Sequence, residues 1–200
     1  MFEKKPVHGE WVLIERLKKE FSMRSLMIPS IAALWCLGAS SQAAEVRYRL
    51  TDANTKIEFT GTKPGGKHDG GFKGVSGVIV MADGVEPQVD VEIDCGSLYS
   101  DNFLLTWHLK GADFFNVKKQ LKARFTSTSV RPSETGYVVT GNLTFLGVTM
   151  PVSFPATMTG GEAIRLRGKC VINRHDFGMT YGKGKIHDNV EVRFDVNAAR

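Results

Sequence analysis

This 200-residue chain predicts an all-β, antiparallel domain, and three observations carry that prediction. From Glu45 onward apolar side chains recur at every second position, the period of a strand with one buried face. About nine segments show this pattern, and only one stretch shows helical spacing instead. Most strands follow one another without the intervening helix that a doubly wound sheet would want.

The first two strands alternate Val46, Tyr48 and Leu50 with Arg47 and Arg49, then Ile57 and Phe59 with Lys56, Glu58 and Thr60. Gly61 to Gly71 (GTKPGGKHDGG) is expected to be a mobile, glycine-rich loop. A third strand covers Phe72 to Met81, its period blurred by Gly74 and Gly77, and a fourth sets Val89, Val91, Ile93 and Cys95 against Asp90, Glu92 and Asp94. Ser100 to Gly111 breaks the period. Ser100 or Asp101 can cap a helix that carries Phe103, Leu104, Trp107 and His108, and Gly111 can end it.

After a basic run of Lys118, Lys119, Lys122 and Arg124, a strand carries Phe125. A hairpin follows between Tyr137 and Met158, with Tyr137, Val139, Leu143 and Phe145 on one arm and Val152 and Phe154 on the other. Ile164 to Ile172 and Val190 to Val196 are the last two strands. Nine one-faced strands with one helix exclude a doubly wound sheet. A β-sandwich and a closed barrel both remain, and a barrel of about eight strands is just wide enough to hold side chains or one small ligand.

Residues 23–44 (MRSLMIPSIAALWCLGASSQAA) have the layout of a secretory signal peptide. Arg24 precedes an apolar run from Leu26 to Leu37, and small residues lead to cleavage after Ala43 or Ala44. The run of about 12 residues is shorter than the roughly 20 a spanning helix needs. Met23 is an alternative start, so residues 1–44 are assigned to a leader and 45–200 to one domain, exported to the periplasm or secreted. Removing the leader takes six of the 26 Lys/Arg and four of the 21 Asp/Glu, leaving 20 and 17. So mild and scattered an excess gives no nucleic-acid signature and permits at most transient contact with an anionic membrane surface. A homodimer through an edge strand is compatible with the sequence.

Export leaves Cys95 and Cys170, which form a disulfide or act as two small buried hydrophobes. The five histidines lack the spacing of a zinc site, so neither a metal nor a cofactor is called for. His68 and His175 are the bases an exported hydrolase would use, but no nucleophile motif accompanies them. No catalytic residue is assigned. The phenylalanines, Phe59, Phe72, Phe114, Phe115, Phe125, Phe145, Phe154, Phe177 and Phe194, form either a dry core serving an interaction module or the lining of a cavity.

Several of these segments together resemble the YceI family of exported lipocalin-like proteins. They are Tyr48-Arg49-Leu50 with Asp52, the Lys67-His68 to Phe72 loop followed by Gly77, Asp113-Phe114-Phe115, and Phe125-Thr126-Ser127-Thr128. Gly141-Asn142-Leu143-Thr144-Phe145-Leu146-Gly147-Val148-Thr149 with Pro151-Val152, and Arg174-His175-Asp176-Phe177-Gly178, complete the set. The chain departs from the family pattern at Gln120-Leu121, where Tyr-Pro is usual, and at Trp107, where an acid is usual. The resemblance implies an antiparallel, lipocalin-like barrel of about eight strands with one short helix inserted. It also implies a non-enzymatic lipid-binding role, with a long isoprenoid chain, polyprenyl or quinone, held inside. The ligand-binding residues so implied are Phe59, Phe72, Trp107, Phe114, Phe115, Phe125, Leu143, Phe145, Phe154 and Phe177, with His68, Arg174 and Asp176 at a head group.

Overall fold

The computed structural model describes residues 44–200, and the leader assigned to residues 1–44 lies outside them but for Ala44. Eleven strands form one sheet. They are β1 (Glu45–Thr51), β2 (Thr55–Lys63), β3 (Gly66–Phe72), β4 (Val75–Ala82), β5 (Val85–Asp94) and β6 (Leu98–Ser100), then β7 (Lys122–Ser133), β8 (Gly136–Phe145), β9 (Val148–Thr159), β10 (Ala163–Asn173) and β11 (Asn189–Ala199). One helix, α1 (Phe103–Leu109), follows β6. The spatial order is β1-β4-β5-β7-β8-β9-β10-β11-β2-β3-β6, with every pair antiparallel.

The sheet curls into a barrel whose seam is closed by side chains and a turn rather than by a ladder. Edge strand β1 comes up against β11. The Tyr48 hydroxyl donates to the Gly161 carbonyl at 2.7 Å, tying β1 to the β9–β10 turn. One step beyond the β2–β11 ladder, the Asn197 amide donates to the Asn54 carbonyl in the β1–β2 turn. Alternation does what the sequence required: along β9, Phe154 and Ala156 are buried while Ser153, Pro155 and Thr157 face out. β9 pairs with β10 only over Ala156–Thr159, so Pro151 and Pro155 lie where the strand pairs with β8 alone and a missing N–H breaks no second ladder. Where β9 and β10 part, a single 3-10 turn, Arg174–Phe177, packs against β9.

Two strands exceed the nine expected. The glycine-rich segment expected to be a mobile loop is largely β3, paired with β2 from Ile57↔Phe72 to Lys63↔Gly66. Its glycines serve close approach: a Cβ on Gly70 would sit 2.5 Å from the Phe59 ring. The other addition is three-residue β6, which pairs with Gly70–Phe72. The helix cap is Asn102, whose side chain accepts from the Leu105 amide at 3.0 Å, one residue beyond the pair expected. The β8–β9 connection is a two-residue turn with Leu146 and Gly147 both left-handed (φ 52° and 78°). Cys95 and Cys170 are both free, and burial pushes each thiol up to about 11.

The interior is divided. At the end holding the β1–β2 turn, Tyr48, Leu50, Ile79, Val139, Ile164 and Val196 pack with their neighbours into a solid plug. A second cluster, built on Phe59, Phe114, Phe115, Phe145 and Phe177, occupies the other end.

Candidate functional site

The second cluster is not filled. It surrounds a cavity of about 270 Å³, open on one side. Position along each strand decides which residues reach it. On β11, Val190 and Val192 line the cavity while Val196 belongs to the plug; on β8, Leu143 and Phe145 line it while Val139 does not. Ile57 and Phe59 from β2, Phe72 from β3 and Ile172 from β10 continue the wall, and Leu105 and Leu109 of α1 cover part of it. Phe115 is the hub of the aromatic lining, 5.1 Å from the Phe145 ring, 5.8 Å from Phe72 and 6.2 Å from Phe59, centroid to centroid.

Apart from the buried Arg174, the polar side chains of the lining are Thr62, Lys63 and His68, at its margin. His68 Nδ1 lies 3.0 Å from Asp101 Oδ1, which ties β3 to the start of α1. The same carboxylate accepts from the Asp69 amide at 3.1 Å. That backbone hydrogen bond, ahead of the His68 contact, holds Asp101 below the usual carboxylate range. Thr62 and Lys63 at the tip of β2 complete this edge. No group of three or more His, Cys, Asp or Glu side chains among the described residues is arranged to hold a metal ion.

Arg174 touches the cavity but spends its hydrogen bonds elsewhere. Its side chain is almost fully buried. Nη1 donates to the Met179 and Tyr181 carbonyls at 2.7 Å each, Nε to His187 at 3.2 Å and Nη2 to Ile186 at 3.2 Å. Asp188 is 3.5 Å from Nη2. With five N–H donors on the guanidinium and these acceptors around it, the group fixes the 179–188 segment against the barrel and has no fork to offer a head group. His175 Nε2 lies 3.2 Å from Asp188 Oδ1, but the angle is too poor for a hydrogen bond, so this buried nitrogen has no hydrogen-bond partner among the described residues.

Of the residues singled out in the sequence, the structure brings Phe59, His68, Phe72, Phe114, Phe115, Leu143, Phe145 and Arg174 to the cavity. Five lie elsewhere. Phe125 and Phe154 stack at 5.6 Å in the plug half. Phe177 is buried behind Phe145 at 5.6 Å, and Asp176 faces solvent. Trp107 is 75% exposed, because α1 turns Leu105 and Leu109 inward and leaves Phe103, Leu104 and Trp107 outside. The lining also includes Ile93, Ala123, Met179 and Ile186, which the sequence reading did not select. Ile93 had shown its inward face by alternation. Met179 and Ile186 sit in a segment with no periodic signal.

A model of the YceI-like domain matches residues 48–198. A UPF0312 protein of Serratia proteamaculans is 33% identical over 139 residues, covering 66% of this chain and 70% of its own. Another, from Yersinia enterocolitica, is 30% identical over 188 residues, covering 88% and 97%. Among solved structures, Burkholderia cenocepacia BcnA shares the fold with a TM-score of 0.69 at 24% identity, over 74% of this chain and 98% of that one. A polyisoprenoid binding domain from Saccharophagus degradans does so with a TM-score of 0.59 at 15% identity, over 78% and 99%.

Proposed function

The chain belongs to the YceI-like family, and on that premise we propose that it is a non-enzymatic lipid-binding protein that takes the apolar end of an isoprenoid-type chain into its barrel. The observation that carries this reading is the aromatic-lined cavity of about 270 Å³, whose one buried polar side chain, Arg174, spends its donors on backbone carbonyls. The fold neighbour described as a polyisoprenoid binding domain agrees with it. Volume limits how much chain enters. A dry cavity of about 150 Å³ accepts the six carbons of benzene, so this one accepts about eleven, or two isoprene units. A longer polyprenyl or quinone tail leaves through the open side. At about 0.8 kcal/mol per buried CH₂, two units contribute roughly 8 kcal/mol before the cost of association.

The signal-like sequence of residues 23–44 supports export to the periplasm, or secretion, with transport, storage or sequestration of the lipid as the role. Protein purified from its native host is extracted and the extract identified by mass. An isoprenoid recovered at near one per chain is the expected result. Absence of any lipid, together with a melting temperature that added polyprenyl lipids leave unmoved, overturns the reading. Cell fractionation and the mass of the mature N-terminus test the location separately.

A further inference from the structure

The helix beside the cavity displays its most apolar side chains to water. Phe103, Leu104 and Trp107 are 82%, 74% and 75% exposed. The half-exposed Tyr181 ring lies 5.1 Å from both His108 and Phe114, next to the helix. The sequence of α1 could bury one face only, and the cluster that includes Cys95, Leu98 and Phe177 takes Leu105 and Leu109. Three adjacent large apolar residues outside the core are a patch that calls for a partner.

We propose that this patch is a docking surface for an anionic lipid bilayer, which would place the open side of the cavity against the membrane. Charge selects this occupant. Lys118 and Lys119 follow α1, Lys63 stands at the cavity margin, and Lys183 and Lys185 lie on the segment that carries Tyr181. All five are exposed, and none pairs with a carboxylate among the described residues. The acids on the same elements are mostly engaged: Asp69 with Lys67 and Arg193, Asp101 with His68, Asp113 with His108, and Asp188 with Arg174. Asp176 is exposed beside them.

Exposed apolar and aromatic side chains, with exposed lysines on the adjoining segments, match the interface of an anionic leaflet, where Trp and Tyr sit at head-group level and Lys faces phosphate. Seven residues of helix are about 10 Å long and so lie at the interface rather than cross it. A second copy fits worse. The patch offers roughly 500 Å², below the roughly 800 Å² per partner of a stable interface, and its lysines would face like charges. The proposal stands apart from the reading of the cavity, because its test contains no isoprenoid.

The full chain is floated with vesicles of phosphatidylglycerol or of phosphatidylcholine, beside the variants Phe103→Ser/Leu104→Ser/Trp107→Ser and Lys183→Glu/Lys185→Glu. Any affinity of the leader is common to all three proteins and cancels in the comparison. The apolar variant is expected to bind phosphatidylglycerol vesicles about tenfold or more weakly. The charge variant should lose binding to phosphatidylglycerol alone, and added salt should reproduce that loss. In a Trp11→Phe/Trp35→Phe background, Trp107 is the sole tryptophan, and its emission should move to the blue on vesicle addition. Wild-type binding by both variants, or an unmoved Trp107 emission, overturns the proposal. So does an apolar variant that converts a dimer to a monomer in sedimentation while vesicle binding holds, which assigns the patch to a second copy. The charge variant and the emission shift keep the test valid should the triple variant fail to fold.

Discussion

Replacing Ala123 by Phe tests the cavity as a binding site. Ala123 is 5% exposed on β7, opposite Ile93 of β5, and its methyl faces the cavity. A phenyl ring there fills about the 150 Å³ that benzene fills. The 270 Å³ space shrinks to about 120 Å³, room for about five carbons in place of eleven. One isoprene unit is thereby excluded, and at about 0.8 kcal/mol per CH₂ the loss is about 4 kcal/mol. Ten-carbon prenyl alcohol should therefore bind about a thousandfold more weakly. The five-carbon alcohol should bind almost as before. Calorimetric titration of both alcohols reads the difference, and the melting temperature guards against misfolding, since the ring enters existing space and overpacking costs at most about 1–3 kcal/mol. A folded variant that binds the ten-carbon alcohol with wild-type affinity refutes the assignment of the cavity as the site.

Three more outcomes follow from the same geometry. Arg174→Ala strands four carbonyls and should cost about 3–5 kcal/mol in urea unfolding, with Arg174→Lys a poor rescue because an ammonium cannot span them. Asp101 is held below its usual value of 3.8 in the folded state, so its stabilising effect is complete above that value and is lost as pH falls through the folded pKa. Asp101→Asn should then lower the melting temperature at pH 7, and the gap from wild type should close in acid below pH 3.8; a gap of constant size refutes the linkage. Cys95 and Cys170, each pushed up to about 11 by burial, should resist thiol reagents at neutral pH until the protein is unfolded. Rapid labelling of the native protein at either position contradicts their placement.

Alternation in the sequence told which face of each strand turns inward, and the fold follows from that because a curled sheet must bury one face. It did not tell which end of the barrel a residue occupies. Phe145 and Phe154 stand on the same face of one hairpin, yet Phe145 lines the cavity and Phe154 stacks in the plug. Register across distant strands decides between them, and register is a property of pairing, not of local period. β3 was hidden for a different reason. Gly66, Gly70 and Gly71 give no apolar rhythm, and at Gly70 and Gly71 the Phe59 and Tyr99 rings lie where a Cβ would collide with them. Arg174 stands out in the sequence, but the carbonyls that take its hydrogen bonds come from Met179 to His187, a stretch without periodic signal.

The plug carries one more consequence. Its residues meet each other and owe nothing to whatever occupies the far end, so the framework does not depend on being loaded. A vessel that must be emptied and refilled needs a shape that outlasts its contents, and here the sealed half provides it.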